Sequence, residues 1–242
     1  MAVSEPGAST SDRINQVDWE DLARRMDEDG FGRLPALLTP AECARLRDLF
    51  GDDALFRTSI DMARYRFGEG EYRYFDYPLP AIVQQLREAL YPRLAETANR
   101  WAQALGASTR FPAELGTFLG QCHRRGQRRA TPLILKYEAG GYNTMHQDVY
   151  GELTFPLQVV FGLSQPVEDY AGGELILLEQ RPRAQSRASA VVVGQGEGVV
   201  FTTRDKPVAG TRGYYRTTLR HGVSRVEAGR RFTLGVIFHD AT

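Results

Sequence analysis

The chain has 242 residues, of which 42% are hydrophobic and 25% charged, with 30 basic and 30 acidic groups and 4 histidines. That is ample for one core with a helical cap, and the balanced charge argues against tight sequence-independent DNA binding. No stretch approaches the roughly 18 apolar residues of a membrane-spanning helix, and two cysteines, Cys43 and Cys122, make no disulfide framework. Both read as reduced thiols of a cytoplasmic protein.

The first sixteen residues are rich in Ser, Thr, Gly and Ala and carry no apolar run. They read as a loose tail rather than a signal peptide. Residues 17–242 read as one domain, with 17–130 mostly helical support and 131–242 the sheet core. Asp18 to Asp29 places Leu22, Ala23 and Met26 at helical spacing, and Gly30 would end that helix. Thr39 and Glu42 form a capping-box signal with Pro40 at the first helical position, opening a helix through Phe50. Ala81 to Leu90 and Ala95 to Leu105 read as two further helices, split by Tyr91 and Pro92.

From Thr131 onward the period shortens. Strands are predicted over 131–138, 145–149, 153–163, 174–179, 189–193, 197–203, 214–226 and 231–238, separated by Gly, Pro and polar turns. Eight short strands after a helical half predict a mainly β fold with N-terminal helices. Its core would be a double-stranded β-helix, or jelly roll.

Chemistry concentrates in that core. His146 and Asp148 are two residues apart, so on a strand they point the same way while Gln147 points the other. His221, 75 residues after His146, would complete a set of two imidazoles and one carboxylate. That donor set leaves metal positions open and suits non-haem Fe(II). The stretch from His221 through Val236 predicts a hairpin with a three-residue loop over Ala228 to Arg230, Gly229 taking a positive φ. Glu227 would then pair with Arg231, and His221 and Arg231 would both face inward. Their separation suits a five-carbon dicarboxylate held between metal and guanidinium.

These residues resemble the Fe(II)- and 2-oxoglutarate-dependent dioxygenase superfamily, whose pattern is H-x-D, a distal His and R-x-S/T. Here the pattern falls on His146, Asp148, His221, Arg231 and Thr233. Leu133 to Tyr137, with Gly140, Gly141 and Tyr142, resembles the family's first core strand and its cosubstrate-touching tyrosine, Tyr137. Gly172 to Leu175, and the run from Gly30 through Pro40, resemble the prolyl-hydroxylase-like branch. The stretch from Gln147 to Thr242 resembles, more narrowly, a bacterial group suggested to act on damaged nucleic acid.

The resemblance implies Fe(II), 2-oxoglutarate as cosubstrate and O2. His146, Asp148 and His221 would hold the metal. Arg231, aided by Thr233, would take the far carboxylate of 2-oxoglutarate as a charge-assisted pair. Succinate would be the coproduct.

Substrate candidates are weaker in the sequence. Tyr142, Asn143 and Tyr150 flank the H-x-D segment. Residues 1–120 hold 14 basic and 19 acidic groups, and 121–242 hold 16 and 11. The basic excess includes Arg124, Arg125, Arg128 and Arg129, and then Arg181, Arg183 and Arg187. Either cluster could meet the phosphates of a single-stranded nucleic acid or could be an ordinary solvated loop. The alternatives are a hydroxylase of a protein side chain, peptide or free amino acid, and a cupin-type module without 2-oxoglutarate. The latter would have no use for Arg231. His239 and Asp240 are adjacent on a strand and face opposite ways, which makes them structural, and His123 carries no assigned role.

Overall fold

Helix boundaries in the N-terminal half follow their capping residues. The computed structural model describes residues 9–242. Its helices are α1 (Thr10–Asn15), α2 (Trp19–Asp29), α3 (Pro40–Asp48), α4 (Ala81–Ala104) and α5 (Leu115–Arg124). Asp18 caps α2 and Gly30 closes it, while Thr39 and Glu42 form the expected capping box of α3. Residues 1–8 of the expected tail lie outside the described residues. The rest of it differs from expectation, because Ser9 and Asp12 make a second capping box that opens α1. Arg13 ties that helix down, donating from Nε to the Leu37 carbonyl at 2.7 Å and from Nη2 to Glu42 at 2.7 Å.

The predicted break at Pro92 does not occur. Proline removes one helical hydrogen bond, that to the Glu88 carbonyl, and its ring crowds the same carbonyl. Glu88 is exposed, so water reaches that turn, while Leu86, Leu90, Leu94, Ala98 and Trp101 are buried on the other side and hold α4 continuous.

The strands are β1 (Phe31–Leu34), β2 (Phe56–Asp61), β3 (Gly68–Glu69), β4 (Glu71–Phe75), β5 (Leu133–Glu138), β6 (Tyr142–His146), β7 (Leu157–Gly162), β8 (Tyr170–Gly172), β9 (Leu175–Gln180), β10 (Arg187–Val191), β11 (Gly198–Thr202), β12 (Asp205–Gly210), β13 (Gly213–Val223) and β14 (Val226–Ile237). They form two antiparallel sheets. The larger runs β1-β11-β7-β14-β5-β4-β2 with β8 beside β14, and the smaller runs β10-β9-β13-β6-β3 with β12 beside β13. Strands near all eight predicted spans form the jelly-roll core, and β1 to β4 extend it from the half expected to be helical. Of these, β1 falls where the run from Gly30 resembles an opening strand, whereas β2, β3, β4, β8 and β12 were not among the predicted strands.

Side-chain alternation sorts the larger sheet's residues between two environments. Val159 and Phe161 of β7, Ile134 of β5, and Leu234 and Val236 of β14 join the cluster built with α4 and α5. Each such side chain contributes roughly 1.5–3 kcal/mol by burial. The intervening Val160, Leu133, Leu135, Tyr137, Arg231, Thr233, Gly235 and Ile237 line a cavity instead. His221 of the smaller sheet lines it too. The cavity therefore lies between the sheets.

The predicted hairpin is corrected by this topology. The chain reverses at Ser224 and Arg225, not at Ala228 to Arg230, and β13 and β14 enter different sheets. Gly229 does have a positive φ of 75°, but inside β14, at an irregular pairing with β8 where a Cβ would fall 2.1 Å from the Asp169 carbonyl oxygen.

Candidate active site

The cavity between the sheets has a volume of about 940 Å3 and contains His146, Asp148 and His221 on its wall. His146 and His221 are direct cross-strand partners on β6 and β13, which sets their rings 4.2 Å apart between centroids. Asp148 is not on the predicted strand. β6 ends at His146, and the next two residues carry the carboxylate back to 3.1 Å from His221 Nε2 and 3.6 Å from His146 Nε2. One donor atom from each residue lies within 4.8 Å of the others.

The donors are in the right form for a metal. Burial and the neighbouring His221 hold His146 below the usual imidazole range, so it stays neutral. Its Nδ1 lies 2.7 Å from the Thr144 carbonyl oxygen, which fixes Nδ1 as the protonated nitrogen and turns Nε2 inward. His221 Nδ1 is buried and has no hydrogen-bond partner among the described residues. Burial would raise the Asp148 carboxyl, but His221, His146 and the Tyr150 hydroxyl outweigh it and keep it ionised. Tyr150 donates to Asp148 Oδ1 at 2.6 Å, and Tyr74 donates to the Tyr150 oxygen at 3.1 Å. Two imidazoles and one carboxylate, with open space beyond them, fit Fe(II).

Arg231 is the second anchor of the cavity. It is 1% exposed, yet its Nε and Nη1 have no hydrogen-bond partner among the described residues. A buried guanidinium without an acceptor is costly unless an anion joins it. Its carbon lies 5.6 Å from the Tyr137 ring centroid and 5.9 Å from that of Tyr170. Gly173 makes room beside it, since a Cβ there would meet Arg231 Cδ at 2.8 Å. Thr233, two residues along the same face of β14, is 2% exposed and also lines the cavity. Tyr137 is fully buried, its hydroxyl pushed up to about 12 by burial and accepting from Asn143 Nδ2 at 3.4 Å. These groups fit 2-oxoglutarate, whose far carboxylate Arg231 would hold.

Of the substrate candidates, Asn143 and Tyr150 line the cavity, although Tyr150 is already engaged with Asp148. Tyr142, Arg181 and Arg183 do not line it. Tyr142 pairs with Glu69 and lies under the Arg225 guanidinium, while Arg181 forms an ion pair with Glu179 at 3.2 Å. His123 proves to have a partner, lying 2.9 Å from Asp240 Oδ2, and the same buried carboxylate pairs with Arg87 at 2.7 Å.

Sequence reading missed the β2 and β4 wall. Arg57, Ile60, Phe67, Tyr72 and Tyr74 all line the cavity. The alternation Tyr72, Arg73, Tyr74 after Gly70 was a strand signal in a segment otherwise taken as helical support. Gln158 was also missed, and its amide nitrogen lies 3.4 Å from His221 Nε2.

Comparison with known proteins agrees with this geometry. Residues 70–241 match the model of a family named Oxygenase-NA, described as an oxygenase catalysing oxidative methylation of damaged DNA. An uncharacterized protein of Mycobacterium tuberculosis is 50% identical over 167 residues, covering 69% of this chain and 72% of the relative. A Pseudomonas putida prolyl-4-hydroxylase has a TM-score of 0.54 at 14% identity, covering 92% of this chain and 100% of its own. A 2OG-Fe(II) oxygenase family oxidoreductase from Burkholderia pseudomallei has a TM-score of 0.54 at 16% identity, covering 94% of each chain. At such identities the structural likeness establishes the fold. No helix among the described residues is long and apolar enough to cross a membrane.

Proposed function

The chain belongs to the Oxygenase-NA family, and we propose that it is an Fe(II)- and 2-oxoglutarate-dependent dioxygenase that oxidises a damaged nucleic-acid base. The observation that carries the cosubstrate assignment is the unpartnered, buried Arg231 in the same cavity as the His146, Asp148 and His221 donors. The family description supports the choice of substrate.

When bound, iron and 2-oxoglutarate would supply the oxidant, one atom of dioxygen entering succinate as CO2 is lost and the other entering a substrate C–H bond. The chain's own residues do the rest. His146, Asp148 and His221 would hold the metal from one side, and Arg231 with Thr233 would fix the cosubstrate. Tyr150 orients the Asp148 carboxylate. Leu133, Leu135, Val160 and Leu175 give part of the cavity an apolar wall. A base stacked in a duplex cannot reach a metal between two sheets, so a single strand or a flipped nucleotide is the form that fits.

The outcome depends on where oxygen goes. A hydroxylated N-methyl group leaves the base as formaldehyde, whereas a hydroxylated side chain keeps its oxygen. The test is succinate and formaldehyde release with methylated single-stranded oligonucleotides, beside a panel of proline-containing peptides and free amino acids. Stimulation of both products by the methylated strand is expected. Stimulation of succinate only by a peptide or amino acid would instead assign a side-chain hydroxylase, the alternative the prolyl-hydroxylase-like fold favours.

A further inference from the structure

Between β2 and β3 the chain runs Arg64, Tyr65, Arg66 and Phe67, and all four are exposed. Tyr65 and Phe67 are 54% and 45% exposed, far more than large aromatic side chains are usually left. Their rings nevertheless stack on each other, with centroids 5.6 Å apart and planes 20° from parallel. Arg66 between them takes a left-handed conformation at φ 59°. Neither Arg64 nor Arg66 has a carboxylate partner among the described residues, and Asp61 is engaged by the Ala63 N–H at 3.0 Å.

This segment is tied by packing and hydrogen bonds to the candidate active site. Met62, at its start, is fully buried against Tyr137, Tyr170 and Val226. The Phe67 carbonyl accepts from both the N–H and the hydroxyl of Thr144 at 2.8 Å each, and the Thr144 carbonyl is the partner of His146 Nδ1. Phe67 itself lines the cavity. The stacked rings thus begin at the cavity edge and lead outward.

Arg57 and Arg129 also line the cavity. Arg57 donates Nε to the Ala130 carbonyl at 2.8 Å and lies over the Tyr74 ring at 4.6 Å. Burial disfavours its charge and Arg129 adds to this, while Tyr74, Asp76 and Asp240 oppose it. Asp76 on the same wall offsets part of the repulsion between the two guanidinium groups, and a phosphate would offset more of it.

Aromatic faces interleaved with unpaired arginines beside a deep cavity match one ligand chemistry, a flexible polyanion with flat rings. We infer that the segment Arg64 to Phe67 is a stacking platform for the nucleobase next to the one held in the cavity, with Arg57 and Arg129 receiving a flanking phosphate, so that the protein binds single-stranded nucleic acid. This rests on the nucleic-acid reading above and adds the residues that would recognise the strand.

The probe is a dye-labelled single-stranded oligothymidylate, with an abasic strand of equal length for comparison, read by fluorescence anisotropy on the intact chain. The Tyr65→Leu and Phe67→Leu double variant should weaken binding of the base-bearing strand about fivefold or more and leave the abasic strand nearly unchanged. Arg129→Gln should weaken both strands and reduce the salt slope by about 0.7. An Arg183→Gln and Arg212→Gln double variant, outside the cavity, controls for net charge. Equal affinity in parent and platform variants, or an equal loss in the charge control, would overturn the inference. Circular dichroism on each variant confirms the fold. Succinate release by the parent without any strand tests the chemistry separately. A parent that turns over 2-oxoglutarate and binds strands no better than its platform variant overturns the platform alone, whereas one that binds no strand overturns the nucleic-acid reading with it. A parent that binds strands through the platform but turns over no 2-oxoglutarate overturns the oxygenase reading alone.

Discussion

His221 and Arg231 are ten residues apart in sequence, sit in different sheets, and both line the one cavity. The turn at Ser224 and Arg225 carries the chain from the smaller sheet to the larger one. A candidate metal donor and a guanidinium therefore face the same space from two sides, the arrangement that a bridging dicarboxylate would need.

Arg231→Ala should weaken 2-oxoglutarate binding by two or more orders of magnitude, because breaking a buried charge pair costs about 3–5 kcal/mol. Iron affinity should change little. Arg231→Lys should fall between, keeping charge but losing the planar fork. The buried guanidinium lacks a partner in the free protein, so Arg231→Met should melt no lower than the parent without 2-oxoglutarate, and only the parent should gain from adding it. Calorimetric titration and thermal melts measure both. A parent and Arg231→Ala variant with the same 2-oxoglutarate affinity would remove Arg231 from the cosubstrate site.

Tyr150→Phe deletes one hydroxyl that donates to Asp148 at 2.6 Å. Removing such support of a ligand typically costs about 10–100-fold in metal affinity. The variant should still bind iron, only more weakly, and Tyr74→Phe should have a smaller effect because it acts through Tyr150. Metal titration against a competing chelator distinguishes them. An unchanged affinity in Tyr150→Phe would mean that the hydroxyl serves only packing.

Much of the candidate metal site was legible because its chemistry is carried by residue types that few other roles require in that order. His146, Asp148, His221 and Arg231 all reach the cavity. The geometry that brings them there was less legible. A turn at Ala228 to Arg230 and one at Ser224 to Arg225 both satisfy local turn chemistry, and only sheet partners distinguish them. Gly229 has the positive φ expected, but because β8 crosses there. Asp148 faces the site from beyond a strand end, where alternation no longer applies. Arg57, Tyr72 and Tyr74 come from a hairpin whose pairing with β5 is a long-range event, and the Arg181 and Arg183 candidates failed to reach the cavity because the turn after β9 leads elsewhere.

His239 offers a test of the core beneath the site. It is fully buried, its Nδ1 accepts from the Phe155 N–H at 3.1 Å, and burial followed by the Arg87 charge lowers it to about 4. The unfolded chain titrates this group near 6.5. Between those values the unfolded state binds a proton that the folded state excludes, so the contribution is complete above about pH 6.5 and declines as pH falls toward 4. Urea melts of parent and His239→Gln should show their stability difference shifting against the parent by about 2 kcal/mol from pH 7 to 4.5. A difference independent of pH would contradict the buried neutral imidazole.

The most direct test is an anaerobic titration of the protein with Fe(II) and 2-oxoglutarate, followed by visible absorption. The parent should develop the weak charge-transfer band of a 2-oxoglutarate chelate at one iron per chain, and His146→Ala and Asp148→Ala should lose it. Full band intensity in either variant, or no band in the parent, would contradict the assignment of His146, Asp148 and His221 as the iron site.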